Sequence, residues 1–151
     1  RRDPSALVPL VARAARVKVQ IVDADPTERG IRAHLNYGHT LGHALETLGH
    51  SGGGPPRRHG EAVAIGMMFA ASLAARAGFK DLVAEHRAPI EAAGLPSGGA
   101  GVPFPVVHSM MARDKKWDRG PRFVLLEELG RPRLVAGIDQ AVLEVAYQEI
   151  R

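Results

Sequence analysis

The stretch from Gly60 to Ala77 constrains the fold more than any other part of the chain. It carries no proline, and Ala62, Ala64, Gly66, Ala70, Ala71, Ala74 and Ala75 give it a run of small side chains. Small residues let neighbouring helices approach closely, and a helix of this length suits the centre of a bundle. Met67, Met68 and Phe69 are read as core within it. Helical patterns dominate the rest. Residues 5–22 read as one helix with Val8, Leu10, Val11, Ala14, Ala15, Val17 and Val19 as its apolar positions, Pro9 being tolerable only in the first turn. Residues 23–30 form a turn, residues 35–48 a second helix, and residues 81–93 a helix ending at Gly94. Proline and glycine make residues 95–105 a loop. Residues 104–116 form a short helix, residues 122–127 and 133–136 two strands about a turn at Gly130, and residues 139–149 a closing helix. The expected fold is mainly α: a multi-helical bundle with a small β-hairpin near the C-terminus.

At 151 residues the chain can bury a sizeable core, and a 45% hydrophobic share is ordinary for a globular domain. One domain over residues 1–151 is the expectation. No apolar run approaches the roughly 20 residues that span a bilayer, so no membrane partner and a cytoplasmic setting are expected. The absence of cysteine leaves histidine and carboxylate as the ligands for any metal. A net charge of +4 raises the question of nucleic acid. The basic residues are dispersed, aromatics make up only 5%, and no recognition-helix motif accompanies them, so no nucleic-acid partner is expected.

The chemistry is concentrated between Arg32 and Glu61. Asn36-Tyr37-Gly38-His39-Thr40-Leu41-Gly42-His43-Ala44-Leu45-Glu46 is followed by His59-Gly60-Glu61. On a helix, His39 and His43 stand on one face with Cβ atoms about 5–6 Å apart, and Glu46 lies a turn further along the same side. A second helix starting near His59 can add a third imidazole. A lone histidine on an amphipathic helix is most often just hydrogen-bonded at a core edge; it is the pair of helices that raises the pattern above this. Gly38, Gly42 and Gly60 cost about 1 kcal/mol each in a helix relative to alanine, which points to a crowded site needing close backbone approach. A zinc-peptidase helix does not fit, because Thr40 stands where H-E-x-x-H needs its glutamate.

These stretches, with His59-Gly60-Glu61-Ala62-Val63-Ala64-Ile65-Gly66-Met67, Asp114-Lys115-Lys116 and Arg122-Phe123-Val124-Leu125-Leu126, resemble the 3-dehydroquinate synthase family of sugar phosphate cyclases in content, order and separation. The resemblance implies a C-terminal metal- and substrate-binding domain. His39 and His59 then match two ligands of the catalytic metal, zinc or cobalt. Lys18, Arg32 and Asn36 match substrate-binding positions, as does one of Lys115 and Lys116. His43 matches a residue that assists proton transfer near the phosphate, and Glu28 a conjectured acid/base position. The implied substrate is an anionic sugar phosphate, 3-deoxy-D-arabino-heptulosonate 7-phosphate, turned over in the shikimate pathway by an enzyme that is commonly a homodimer.

No glycine-rich nucleotide turn follows a buried strand anywhere, and Gly52-Gly53-Gly54 runs into prolines. NAD is therefore expected on an N-terminal domain outside this chain, with no cofactor-binding residue here. A third metal ligand, a glutamate upstream of the position of Lys18, is also expected to lie outside. The chain reads as the C-terminal part of a longer enzyme, inactive alone. Two alternatives stand beside this: another cyclase, of the 2-deoxy-scyllo-inosose or epi-valiolone synthase type, or a non-catalytic helical module.

Overall fold

A computed structural model describes residues 4–113 and 120–151. Two compact units divide the chain, Arg1–Leu35 and Asn36–Arg151.

The first unit is built on α1, Pro4–Ala24. The helix starts one residue before the expected bound and runs two beyond it, so Pro9 falls in its second turn rather than its first. There the ring forfeits one main-chain hydrogen bond, since proline has no N–H. Most of the apolar side chains of α1 face solvent, with Val8 68%, Leu10 63% and Val11 64% exposed. After α1 the chain is gathered by one side chain. The Asp25 carboxylate accepts the backbone N–H groups of Arg29 (3.0 Å), Gly30 (2.7 Å) and Arg32 (3.0 Å). Donation from those amides, of Arg29 and Arg32 foremost, holds the Asp25 carboxyl below its usual range. A 3-10 helix, Ile31–Asn36, follows.

In the second unit, α2 (His39–His50) and α3 (His59–Arg76) lead into α4 (Val83–Ala92) and α5 (Phe104–Ala112). The hairpin β1 (Phe123–Glu128) and β2 (Arg131–Val135) and the final helix α6 (Gln140–Gln148) complete it. As the run of small residues predicts, α3 is central and packs against α2, α4, β1 and α6. Ile65, Met68, Phe69 and Leu73 of α3 meet Leu41 and Leu45 of α2, Leu125 of β1 and Tyr147 of α6 in one core. A fully buried aliphatic or aromatic side chain contributes about 1.5–3 kcal/mol relative to leaving it exposed. The core also satisfies its polar atoms: the Tyr147 hydroxyl donates to the Val102 carbonyl at 2.7 Å. Ser72 donates to the Ala146 carbonyl and to Glu149, which also pairs with Arg76.

The mainly α bundle with a C-terminal hairpin is the expected architecture. The strands pair antiparallel, Phe123 opposite Val135, with an irregularity between Leu126 and Glu128 and Gly130 at positive φ in the turn. The histidine helix begins at His39, not near residue 35, because Gly38 adopts a left-handed φ of 77° and separates it from the 3-10 helix. The short helix α5 ends at Ala112, and Asp114, Lys115 and Lys116 lie outside the described residues.

Candidate functional site

Three glycines bring the start of α2 and α3 into backbone contact. A Cβ on Gly66 would overlap the Gly38 carbonyl oxygen, and one on Gly38 would sit 2.7 Å from the main-chain nitrogen of Met67. A Cβ on Gly42 would lie 3.1 Å from the Val63 Cα. The crowding expected of Gly38 and Gly42 is therefore real. Gly60 differs: a Cβ there meets nothing within 4 Å, so close packing is not what places glycine in the first turn of α3. Thr40 ties the start of α2 to the strand side by donating to the Arg122 carbonyl at 2.8 Å. At the head of α3, the Arg58 N–H donates to Glu61 at 2.9 Å, satisfying a donor at the point where His59 begins the helix.

This seam gathers three imidazoles. Ring centroids are 5.2 Å apart for His39 and His43, 5.4 Å for His39 and His59, and 5.9 Å for His43 and His59. Glu46 joins them, its Oε2 3.1 Å from His59 Nδ1. One ligand atom from each of His43, Glu46 and His59 falls within 4.8 Å of the others. The hydrogen bond from His59 foremost, with a smaller electrostatic contribution from the His59, His43 and His50 side chains, holds the Glu46 carboxyl below its usual range despite partial burial.

The partners of two rings define their chemistry. His39 Nδ1 lies 3.0 Å from the Tyr37 carbonyl oxygen, which can only accept, so Nδ1 carries a proton and, in the neutral ring, Nε2 is the lone-pair nitrogen. Glu46, ionised, assigns His59 in the same sense. An acceptor on one ring nitrogen is the usual arrangement behind a metal-binding imidazole, since it sets tautomer and orientation and raises ligand basicity. Neutral imidazole and carboxylate together suit zinc and its neighbours in the first transition row. The residues present therefore fit a divalent cation.

The other expected site residues are placed as follows. Asn36, exposed, ends the 3-10 helix. In the first unit Lys18 is exposed on α1 and Arg32 is partly buried, its Nη1 donating to the Pro26 carbonyl at 2.9 Å. Glu28 takes a positive φ of 54°, uncommon outside glycine and of a kind concentrated at functional positions. The pair Lys115 and Lys116 lies outside the described residues. Three contributors escaped the sequence reading. Asp25 organises the loop that carries Glu28 and Arg32, and its place before proline in a turn was the available signal. Tyr37 and His86, hydrogen-bonded at 2.9 Å, stand behind His39; no local pattern joins residues 49 apart.

The helical bundle turns three imidazoles and a carboxylate to one seam, a donor set of the kind that fits a divalent cation. Residues 1–117 match the family model described as 3-dehydroquinate synthase C-terminal. The chain belongs to that family. It is 43% identical over 145 residues to the 3-dehydroquinate synthase of Thermobifida fusca (strain YX), covering 93% of this chain and 38% of that protein. It is 41% identical to the one of Corynebacterium efficiens over 151 residues, covering 98% of this chain and 40% of that protein. The chain thus spans about two-fifths of the length of these relatives. In fold it is similar to a 2-deoxy-scyllo-inosose synthase crystallised with carbaglucose-6-phosphate, NAD+ and Co2+. That likeness has a TM-score of 0.78 at 22% identity, over 99% of this chain and 42% of the other.

Proposed function

We propose that the chain is the metal- and substrate-binding part of a 3-dehydroquinate synthase, which turns 3-deoxy-D-arabino-heptulosonate 7-phosphate into 3-dehydroquinate and phosphate. The observation that carries the reading is the arrangement of His39 and His59, each with Nδ1 committed to an acceptor and the two rings 5.4 Å apart. Their Nε2 atoms are the proposed metal ligands. Zinc, the metal proposed, would supply Lewis acidity and a template for vicinal hydroxyls, and NAD, proposed to sit on the part of the relatives' length that this chain does not span, would supply the hydride acceptor and donor.

The chain's own residues position the substrate and move protons. Arg32 offers a planar fork that meets a carboxylate with two parallel hydrogen bonds, whereas Lys18 and one of Lys115 and Lys116 offer compact positive charge. Asn36 supplies a neutral amide for hydroxyl or phosphate oxygen. His43, beside the two proposed ligands, takes or delivers the proton that accompanies loss of phosphate, and Glu28 is the second acid/base group. Correct placement of reacting groups accounts for much of such a rate enhancement. The family resemblance extends the proposal to a cytoplasmic homodimer.

A second reading is another sugar phosphate cyclase, favoured by the fold likeness to the inosose synthase. Sequence identity near 40% with dehydroquinate synthases and a cationic set suited to a carboxylate favour the first. A coupled assay on the full-length protein is expected to release phosphate from the keto acid phosphate and leave glucose 6-phosphate untouched. Turnover of glucose 6-phosphate alone, which carries no carboxylate, would overturn the assignment. The isolated chain is expected to bind zinc weakly and to show no synthase activity; tight stoichiometric zinc with turnover in this chain alone would contradict that.

A further inference from the structure

His86 lies on α4, outside the imidazole cluster, and is only 7% exposed. Both its ring nitrogens are engaged. Nδ1 is 2.7 Å from the Leu82 carbonyl and Nε2 is 2.9 Å from the Tyr37 hydroxyl. A carbonyl cannot donate, so Nδ1 holds a proton, and in the neutral ring Nε2 has the lone pair. The hydroxyl of Tyr37 must then be the donor. That gives the contact a direction: Tyr37 O–H into His86, and His86 N–H into the main chain of Leu82.

The same tyrosine grips His39 from its other end, for its carbonyl oxygen accepts from His39 Nδ1 at 3.0 Å. Tyr37 stands between the last residue of the 3-10 helix and Gly38 at φ 77°, outside any regular element. Glycine is the most permissive residue of the backbone, so the orientation of the peptide carbonyl before it needs a side-chain anchor. The partly buried Tyr37 ring, tilted against His86 with centroids 5.5 Å apart, provides one.

We propose that His86 is a positioning residue which, through Tyr37, holds His39 in its Nδ1–H tautomer with Nε2 aimed into the seam of α2 and α3. The proposal rests on the reading of His39 as a metal ligand for its purpose, but the tautomer can be measured without metal. This matters because neutral imidazole in water favours the opposite tautomer, which presents Nδ1 instead.

The test uses the full-length protein, metal-free and 15N-labelled at histidine, at a pH where imidazoles are neutral, with His39 assigned by the signal lost in His39→Gln. Nitrogen shifts of the wild type are expected to report Nδ1–H at His39. His86→Phe, which keeps ring bulk without an acceptor, and Tyr37→Phe, which removes the donor, are expected to give a tautomer mixture. His86→Gln keeps an acceptor near the former Nε2 and is expected to restore the wild-type signature. A Co2+ titration is expected to weaken about tenfold or more in His86→Phe and recover in His86→Gln. An unchanged His39 tautomer in both phenylalanine variants overturns the positioning role, whatever the metal does. Wild-type Co2+ affinity in His39→Ala overturns instead the ligand reading, leaving the tautomer result to stand by itself.

Discussion

The seam between α2 and α3 and the long helix α1 solve opposite problems. At the seam, glycines at 38, 42 and 66 remove side chains so that two backbones meet, and Leu41, Leu45, Ile65 and Met68 behind them are buried almost completely. Along α1 the side chains of residues 5–20 are all exposed, and the helix carries a proline in its second turn. The difference teaches where precision is required. Three imidazoles can be held within 6 Å of one another only if the helices that carry them cannot shift, and close backbone packing supplies that rigidity.

The contrast can be broken most severely at Gly66. Gly66→Ala forces a methyl group onto main-chain atoms that cannot swing aside, and is expected to cost about 3 kcal/mol or more in urea unfolding. A cost under about 1 kcal/mol would mean that the seam can open. Gly60→Ala is the control within the same helix. With open space around it and no positive φ, it is expected to leave stability unchanged or raise it by up to about 1 kcal/mol. A loss there would show that the head of α3 needs glycine for another reason. On α1, Val8→Ser is expected to change stability by less than about 0.5 kcal/mol in the chain as described. A large loss would reveal that this face is covered.

A pH experiment sharpens the comparison in the first unit. The Asp25 carboxyl titrates below its ordinary value, so its stabilising effect is complete above the unfolded carboxylate range and is lost as pH falls through the depressed folded value. Amide exchange at Arg29, Gly30 and Arg32 is therefore expected to be protected near neutrality and to lose protection in acid, relative to the intrinsic rate. Asp25→Asn should lose most of that protection at every pH; a full wild-type pH response in this variant would show that another group governs the loop.

Much of this was legible in the sequence where the signal was local. The spacing of His39, His43 and Glu46 and the small residues of α3 translated directly into a helix face and a packing surface, because both depend on helical periodicity alone. What escaped was set by tertiary contact. The helix starts at His39 because Gly38 is shaped by a residue 28 positions further on, Gly66, which no local pattern announces. Gly60 invited the same interpretation as its neighbours, yet its surroundings are open. The link from His86 to Tyr37 joins α4 to the turn before α2 through a side-chain hydrogen bond, and a buried histidine offers no distinctive spacing.

The central claim is that residues 39 and 59 bind the metal while residue 43 moves a proton. Metal content after exhaustive dialysis of full-length His39→Ala, His59→Ala and His43→Ala proteins tests it most directly. The expected result is loss of zinc from the first two and near-stoichiometric zinc in the third, which should turn over slowly. Equal retention in all three, or loss confined to the His43 variant, would contradict the account.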